Sequence, residues 1–134
     1  MKNMTRILSF VLVITVLGAA LLTGCSVQQP LRYQQISQQD AKNLMDAYPD
    51  YVVLDVREQH EYDAGHIPGA VLLPLGSITK DSAAAVIPTS TCPVMIYCRS
   101  GNRSKQAAEI LCDLGYLNVK EFGGINTWPY DIEQ

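Results

Sequence analysis

The sequence predicts an α/β domain with a central, mainly parallel β-sheet flanked by helices, on three observations. Continuous apolar runs occur at 51–54 (Tyr-Val-Val-Leu), 70–73 (Ala-Val-Leu-Leu) and 94–97 (Val-Met-Ile-Tyr), and a last strand is expected over 119–122. Runs without polar alternation suit strands buried on both faces, as in parallel sheets. Segments with helical spacing of apolar residues stand between them, punctuated by Pro49, Gly65 and Gly115. Strands interleaved with helices are the pattern of βαβ connections.

Each element has its own signal. Ser37-Gln38-Gln39-Asp40 is a helix start, with Ser37 as cap and Asp40 near the first turn. Ala41, Leu44, Met45 and Tyr48 follow at helical spacing, and Pro49 stops the helix. The first strand, 51–54, ends at Asp55. A short helix is expected over 58–64, closed by Gly65, then a strand over 70–73 and a weaker helix over 82–87. The strand at 94–97 ends at Cys98. After a loop, Ala107, Ala108, Ile110, Leu111 and Leu114 make one helix face, opposite Lys105, Gln106, Glu109 and Asp113. Gly115 ends that helix. A last strand at 119–122 leads to Gly123-Gly124 and a tail around Trp128.

The chain has 134 residues, which suggests one domain, here 33–134. What precedes it has a different character. Lys2 and Arg6 are followed by an apolar run over 7–22, broken only by Ser9, Thr15 and Gly18, and ending at Leu22-Thr23-Gly24-Cys25. A basic start, a short apolar stretch and small residues at the cut site describe a secretory signal peptide, here 1–24. The ending resembles the lipobox of bacterial lipoproteins. That resemblance implies cleavage before Cys25, diacylation of Cys25 and anchoring to a membrane on its extracytoplasmic side, with 25–32 as lipidated cysteine and short linker. Ser26 is compatible with outer-membrane sorting. The competing reading is an uncleaved transmembrane anchor, for which the run is slightly short of the roughly 20 residues a span needs. From Cys25 onward the chain has eight Lys and Arg against thirteen Asp and Glu. A mildly acidic domain without a basic stripe is a poor nucleic-acid binder.

With Cys25 assigned to lipid, Cys92, Cys98 and Cys112 need a reading. Cys112 falls on the apolar helix face and Cys92 precedes Pro93 at a strand entrance, so both are expected to be structural. A bridge between them is left open. Cys98 differs. The segment Cys98-Arg99-Ser100-Gly101-Asn102-Arg103-Ser104 joins a buried strand to a helix. Backbone N–H groups in such a turn can cradle an anion, and the helix N-terminus adds partial positive charge. Arg99 and Arg103 add full charges, although Arg99 can equally point to solvent. Gly101 allows positive φ or a close backbone approach. These features favour Cys98 as a nucleophilic thiolate. Asp55 also follows an apolar strand, and strand carboxyl ends are where open parallel sheets bind ligands. Asp55 and Cys98 are therefore expected to share one site.

Taken together, the motifs resemble a single-domain rhodanese homology protein over roughly 33–130. The Cys98–Ser104 segment resembles that family's active-site loop, and Leu54-Asp55-Val56-Arg57 its Asp-x-Arg strand-end motif. Glu61-Tyr62-Asp63-Ala64-Gly65-His66-Ile67-Pro68-Gly69-Ala70 resembles the segment leading into its next strand. Phe122-Gly123-Gly124 and Trp128 resemble its C-terminal signature. The resemblance implies a sulfurtransferase with Cys98 as nucleophile and residues 99–104 as the substrate cradle. Sulfane sulfur would pass from thiosulfate or a similar donor, through a Cys98 persulfide, to a thiol or cyanide, with a protein acceptor also open. It implies Asp55 and Arg57 as a largely structural pair, His66 as a turn-stabilising residue, and no cofactor. His60 is expected at the surface. Two histidines and scattered cysteines show no metal-ligand spacing. Two rival functions are a phosphatase or arsenate reductase and a partner-binding module or persulfide carrier without turnover. The first needs Cys-x5-Arg, whereas the sixth residue after Cys98 is Ser104 and Arg103 falls one position early. An exposed thiolate outside the cytoplasm would also need a reductant or a sulfur supply.

Overall fold

The structure, a computed structural model, describes residues 32–134. The signal peptide, the lipidated Cys25 and most of the linker lie outside the described residues. Ser37 caps helix α1 (Gln38–Ala47), its hydroxyl accepting the Asp40 N–H at 3.0 Å. The strands are β1 (Gln34–Gln35), β2 (Val52–Asp55), β3 (Val71–Leu72), β4 (Val94–Cys98) and β5 (Val119–Gly124). They form one sheet in the order β1-β5-β4-β2-β3, and every neighbouring pair is parallel. The remaining helices are α2 (Gln59–Asp63), α3 (Lys80–Val86) and α4 (Asn102–Asp113). The expected α/β class and parallel sheet are therefore present.

Strand alternation divides the core into two layers. Val94, Ile96 and Cys98 of β4 face one way, packing with Leu54, Val119, Ala83 and Ile87 near α3, and Ala107, Ala108 and Leu111 of α4. Met95 and Tyr97 face the other way, with Val53, Phe122, Ile67 and Ala41 of α1. All five residues of β4 are buried, which accounts for its unbroken apolar run.

Three element boundaries differ from expectation, each for a local reason. β1 was not expected. It is two exposed glutamines whose backbone pairs with Lys120 and Glu121 of β5, so no apolar signal marks it. α3 starts at Lys80 rather than 82, because Thr79 and Ser82 cap each other: each side chain accepts the other's backbone N–H, at 3.1 and 2.9 Å. α4 starts at Asn102, so Asn102, Arg103 and Ser104 are its first turn rather than loop. The loop proper is Arg99–Gly101, and it turns at Gly101, where φ is +100°.

Candidate active site

Cys98 closes β4, and its sulfur sits at the start of α4. Gly101, the residue before the helix, has no side chain with which to cap it. The sulfur takes that part: the Gly101 N–H donates to Sγ at 3.1 Å, and the N–H groups of Ser104 and Ser100 also favour its charged form. A helix N-terminus has unpaired donors and partial positive charge, so an anionic sulfur suits this position. Burial pushes the Cys98 thiol up. The Ser104 hydroxyl and the three N–H groups outweigh burial, and the thiol ends below its ordinary value. The residue is 1% exposed. The expected exposed thiolate is thus corrected to a shielded one, because Cβ alternation turns it under α4.

The two loop arginines part company. Arg99 is exposed and makes no side-chain hydrogen bond or ion pair among the described residues. Its backbone is held instead, the carbonyl accepting the Asn126 N–H at 3.1 Å. Arg103 is committed to Glu61, with Nη1 and Nη2 donating to Oε2 and Oε1 at 2.7 and 2.8 Å. It does not extend freely into the site, as a substrate-binding reading requires. The Cys98 charge still reaches it and favours its protonated form. Through this pair Arg103 ties α4 to α2. Asn102 is exposed, and Ser100 and Gly101 line a groove beside the loop with Lys105 and Gln38.

The bidentate pair pulls the Glu61 carboxyl from 4.5 down to about 2, with burial opposing and the Glu58 N–H assisting. A depressed carboxyl contributes stability above its unfolded value and loses it as pH falls toward the folded one. Glu61→Gln is expected to cost about 1 kcal/mol at pH 7, the pair being only partly shielded. The gap to wild type should close as pH drops from 4.5 toward 2. Equal urea midpoints at pH 7 would refute this.

Asp55 is not in the Cys98 site, contrary to expectation. It pairs in register with Tyr97, one residue before Cys98, and its carboxylate bonds that side chain on the opposite face of the sheet. Oδ2 accepts the Tyr97 hydroxyl at 2.7 Å and Arg57 Nη2 at 2.6 Å. Arg57 also donates to the Gly65 carbonyl at 2.8 Å. Burial and the hydrogen bond to Asp55 push the Tyr97 phenol well up, so it remains a neutral donor. Link by link, Asp55 reaches the loop through Arg57, whose charge acts on Glu61, and then through Arg103. Its part is structural. His66 stacks on Tyr62 at 3.7 Å, and its Nδ1 lies 3.0 Å from the Tyr62 carbonyl. Its backbone pairs with Glu133, so it holds the turn and the chain end. His60 is exposed.

Two residues at this site carried no functional reading in the sequence. Gly124 pairs with Cys98 across a register slip between β4 and β5. A Cβ there would lie 2.2 Å from the Arg99 carbonyl oxygen. Glu121 is buried on β5 and accepts the Ser104 hydroxyl at 2.6 Å and the Gly123 N–H at 2.8 Å. No sequence signal marked it, since Glu121 stands beside Lys120 in a strand of mixed character. Cys92 and Cys112 are half-buried free thiols. Burial is the largest influence on each and raises it, so neither is activated. Among the described residues no cluster of three His, Cys, Asp or Glu could hold a metal.

Comparison with known proteins agrees with the fold. Residues 37–129 match the family described as Rhodanese-like domain. The chain is 38% identical over 72 residues to thiosulfate sulfurtransferase PspE of Escherichia coli (strain K12), covering 54% of this chain and 68% of that protein. It is 34% identical over 109 residues to adenylyltransferase and sulfurtransferase UBA4 of Meyerozyma guilliermondii. That match covers 75% of this chain but spans about a quarter (25%) of the relative. Among solved structures, a rhodanese with anions from E. coli superposes with a TM-score of 0.58 at 32% identity, covering 63% of this chain and 98% of that one.

Proposed function

Because the chain belongs to the rhodanese-like domain family, we propose that it is a sulfurtransferase working through a Cys98 persulfide. The observation that carries this reading is the Cys98 sulfur seated at the start of α4, where it accepts the Gly101 N–H at 3.1 Å. The thiolate attacks the outer sulfur of thiosulfate or a similar donor. A new S–S bond forms as the bond to the sulfonate sulfur breaks, and sulfite leaves with that electron pair. The terminal persulfide sulfur is anionic and suits a cradle of N–H donors. Cyanide or an acceptor thiol, small or on a protein, then attacks that sulfur, and the electron pair of the broken bond returns to Cys98. Oxyanion chemistry is less well served. Arg103 is held in a bidentate pair by Glu61, so a phosphate or arsenate at Cys98 would have to break that pair to gain its guanidinium.

After incubation of the full chain with thiosulfate, the intact mass is expected to rise by one sulfur atom, mapped to Cys98. Cys98→Ser should abolish both this and transfer to cyanide, while Cys112→Ser should leave both intact. Full transfer by the Cys98 variant would sink the assignment.

The same proposal places the domain outside the cytoplasm, anchored as a lipoprotein through acyl chains on Cys25. The support is the sequence around Leu22-Thr23-Gly24-Cys25. Two or more acyl chains hold a protein stably at a membrane without a spanning helix. Labelling with a palmitate analogue should depend on Cys25, and label retained in Cys25→Ala would refute the anchor.

A further inference from the structure

Glu121 is a buried carboxylate, 3% exposed. Among the described residues no basic side chain lies within salt-bridge distance of it. A buried charge without a cation is costly, so its surroundings matter. Its Oε1 accepts the Gly123 N–H at 2.8 Å and the Ser104 hydroxyl at 2.6 Å. Ser104 is fully buried, and its Oγ lies 3.5 Å from Cys98 Sγ. The three side chains therefore form a line: thiol, hydroxyl, carboxylate.

Ser104 has a single hydroxyl proton. Glu121 Oε1 at 2.6 Å, the Gly101 carbonyl at 3.0 Å and the Gly123 carbonyl at 3.4 Å compete for it, while the Cys98 thiol donates to Oγ at 3.5 Å. While Glu121 is ionised, the shortest and charge-assisted bond wins. The hydroxyl then points away from Cys98 and offers it a lone pair, which suits a thiol S–H. A proton on Glu121 reverses the line. The carboxylic acid donates to Oγ, and the hydroxyl turns to donate to the thiolate.

We propose that Glu121 is a positioning residue that shares one proton with Cys98 through the Ser104 hydroxyl. In the forward direction the S–H bond breaks as its proton passes to Oγ, and the Ser104 proton passes to Glu121. The S–H electron pair stays on sulfur. The negative charge moves from carboxylate to thiolate, the total charge is unchanged, and nothing is oxidised or reduced. The nucleophile is thus formed without releasing a proton from a shielded site.

The ionisable groups around Glu121 come from each neighbouring element. β4 contributes Cys98. α4 contributes Lys105, which lines the same groove. Beside β1 stands Tyr33, whose phenol is raised by burial and then by the charges of Glu109 and Glu121. α1 contributes only the neutral amide of Gln38 to that groove.

The inference rests on Cys98 as the nucleophile, and its test does not use sulfur transfer. The rate of Cys98 alkylation by iodoacetamide is followed against pH in the full chain, with the product resolved by peptide mass. An uncoupled thiol below its midpoint gains about tenfold in rate per pH unit. A proton shared within a pair titrates in two steps, and between them the thiolate fraction hardly changes with pH. Wild type is expected to show that plateau. Glu121→Gln and Ser104→Ala are each expected to abolish it and restore the tenfold slope. A wild-type profile without a plateau overturns the inference. So does a plateau surviving in Ser104→Ala, which would show Glu121 acting by its field and not through the hydroxyl. Loss of thiosulfate loading with the plateau intact would instead count against the proposed function alone.

Discussion

Gly124→Ala is expected to reduce Cys98 persulfide loading by about 100-fold or more while leaving most secondary structure in place. The reason is backbone contact. A Cβ on Gly124 would meet the Arg99 carbonyl oxygen at 2.2 Å, its carbon at 2.5 Å and the Ser100 Cα at 2.6 Å. None of these is the end of a flexible side chain that could swing aside. Gly124 is itself fixed from the opposite side, its carbonyl accepting the Gln38 amide at 2.8 Å. The Arg99–Ser100 backbone must therefore move, and that backbone leads into the Gly101 N–H that donates to the sulfur. A displacement of about 1 Å in such an arrangement costs on the order of 100-fold in rate. Overpacking adds about 1–3 kcal/mol of lost stability. Gly76→Ala is the matched control, since nothing lies within 4 Å of a Cβ there and its φ is not positive. It should behave as wild type in loading and in far-UV circular dichroism. Normal loading by Gly124→Ala would refute the close-approach account.

How far the sequence revealed this site depends on which forces place each residue. Burial on both faces leaves a mark in the sequence, so β2 and β4 are legible as apolar runs, and with them the strand-end positions of Asp55 and Cys98. Backbone pairing leaves none, so β1, two exposed glutamines, is invisible. Which face a strand-end residue occupies depends on register, and this is why Asp55 and Cys98 look like neighbours in sequence. They are on opposite sides of the sheet because Asp55 pairs with Tyr97. Arg103 shows a similar limit. Its spacing from Cys98 marks it as a loop cation, but its partner Glu61 is far away in the chain and comes from α2. The family resemblance identified Glu61 as a motif position without its role. Ser104 appears in the sequence as the end of a loop. Only the early start of α4 turns its hydroxyl inward, between Cys98 and Glu121.

The second large effect lies on the face of the sheet away from Cys98. Asp55→Ala is expected to destabilise the domain by about 3–5 kcal/mol, the cost of breaking a buried ion pair by removing one partner. Asp55 is 0% exposed and Arg57 5%, so neither is rescued by water. Asp55 accepts from Arg57 Nε at 2.9 and 3.0 Å, from Nη2 at 2.6 Å, from the Arg57 N–H at 3.0 Å and from the Tyr97 hydroxyl at 2.7 Å. Removing the carboxylate leaves a buried guanidinium with only the Gly65 carbonyl at 2.8 Å, and a buried phenol without its acceptor. Tyr97→Phe is the milder cut. It deletes one hydrogen bond to a charged group and the acceptor of the Ile67 N–H at 3.1 Å, for about 1.5–3 kcal/mol. Total stabilities are only about 5–15 kcal/mol, so the Ala variant should lie near the folding threshold while the Phe variant stays folded. Urea midpoints should fall in the order wild type, Tyr97→Phe, Asp55→Ala. Because these groups face away from the sulfur, loading of Cys98 per folded molecule should be close to wild type in Tyr97→Phe. A variant that kept its midpoint and lost its loading would show that this pair acts on the chemistry directly, and the structural assignment would be wrong.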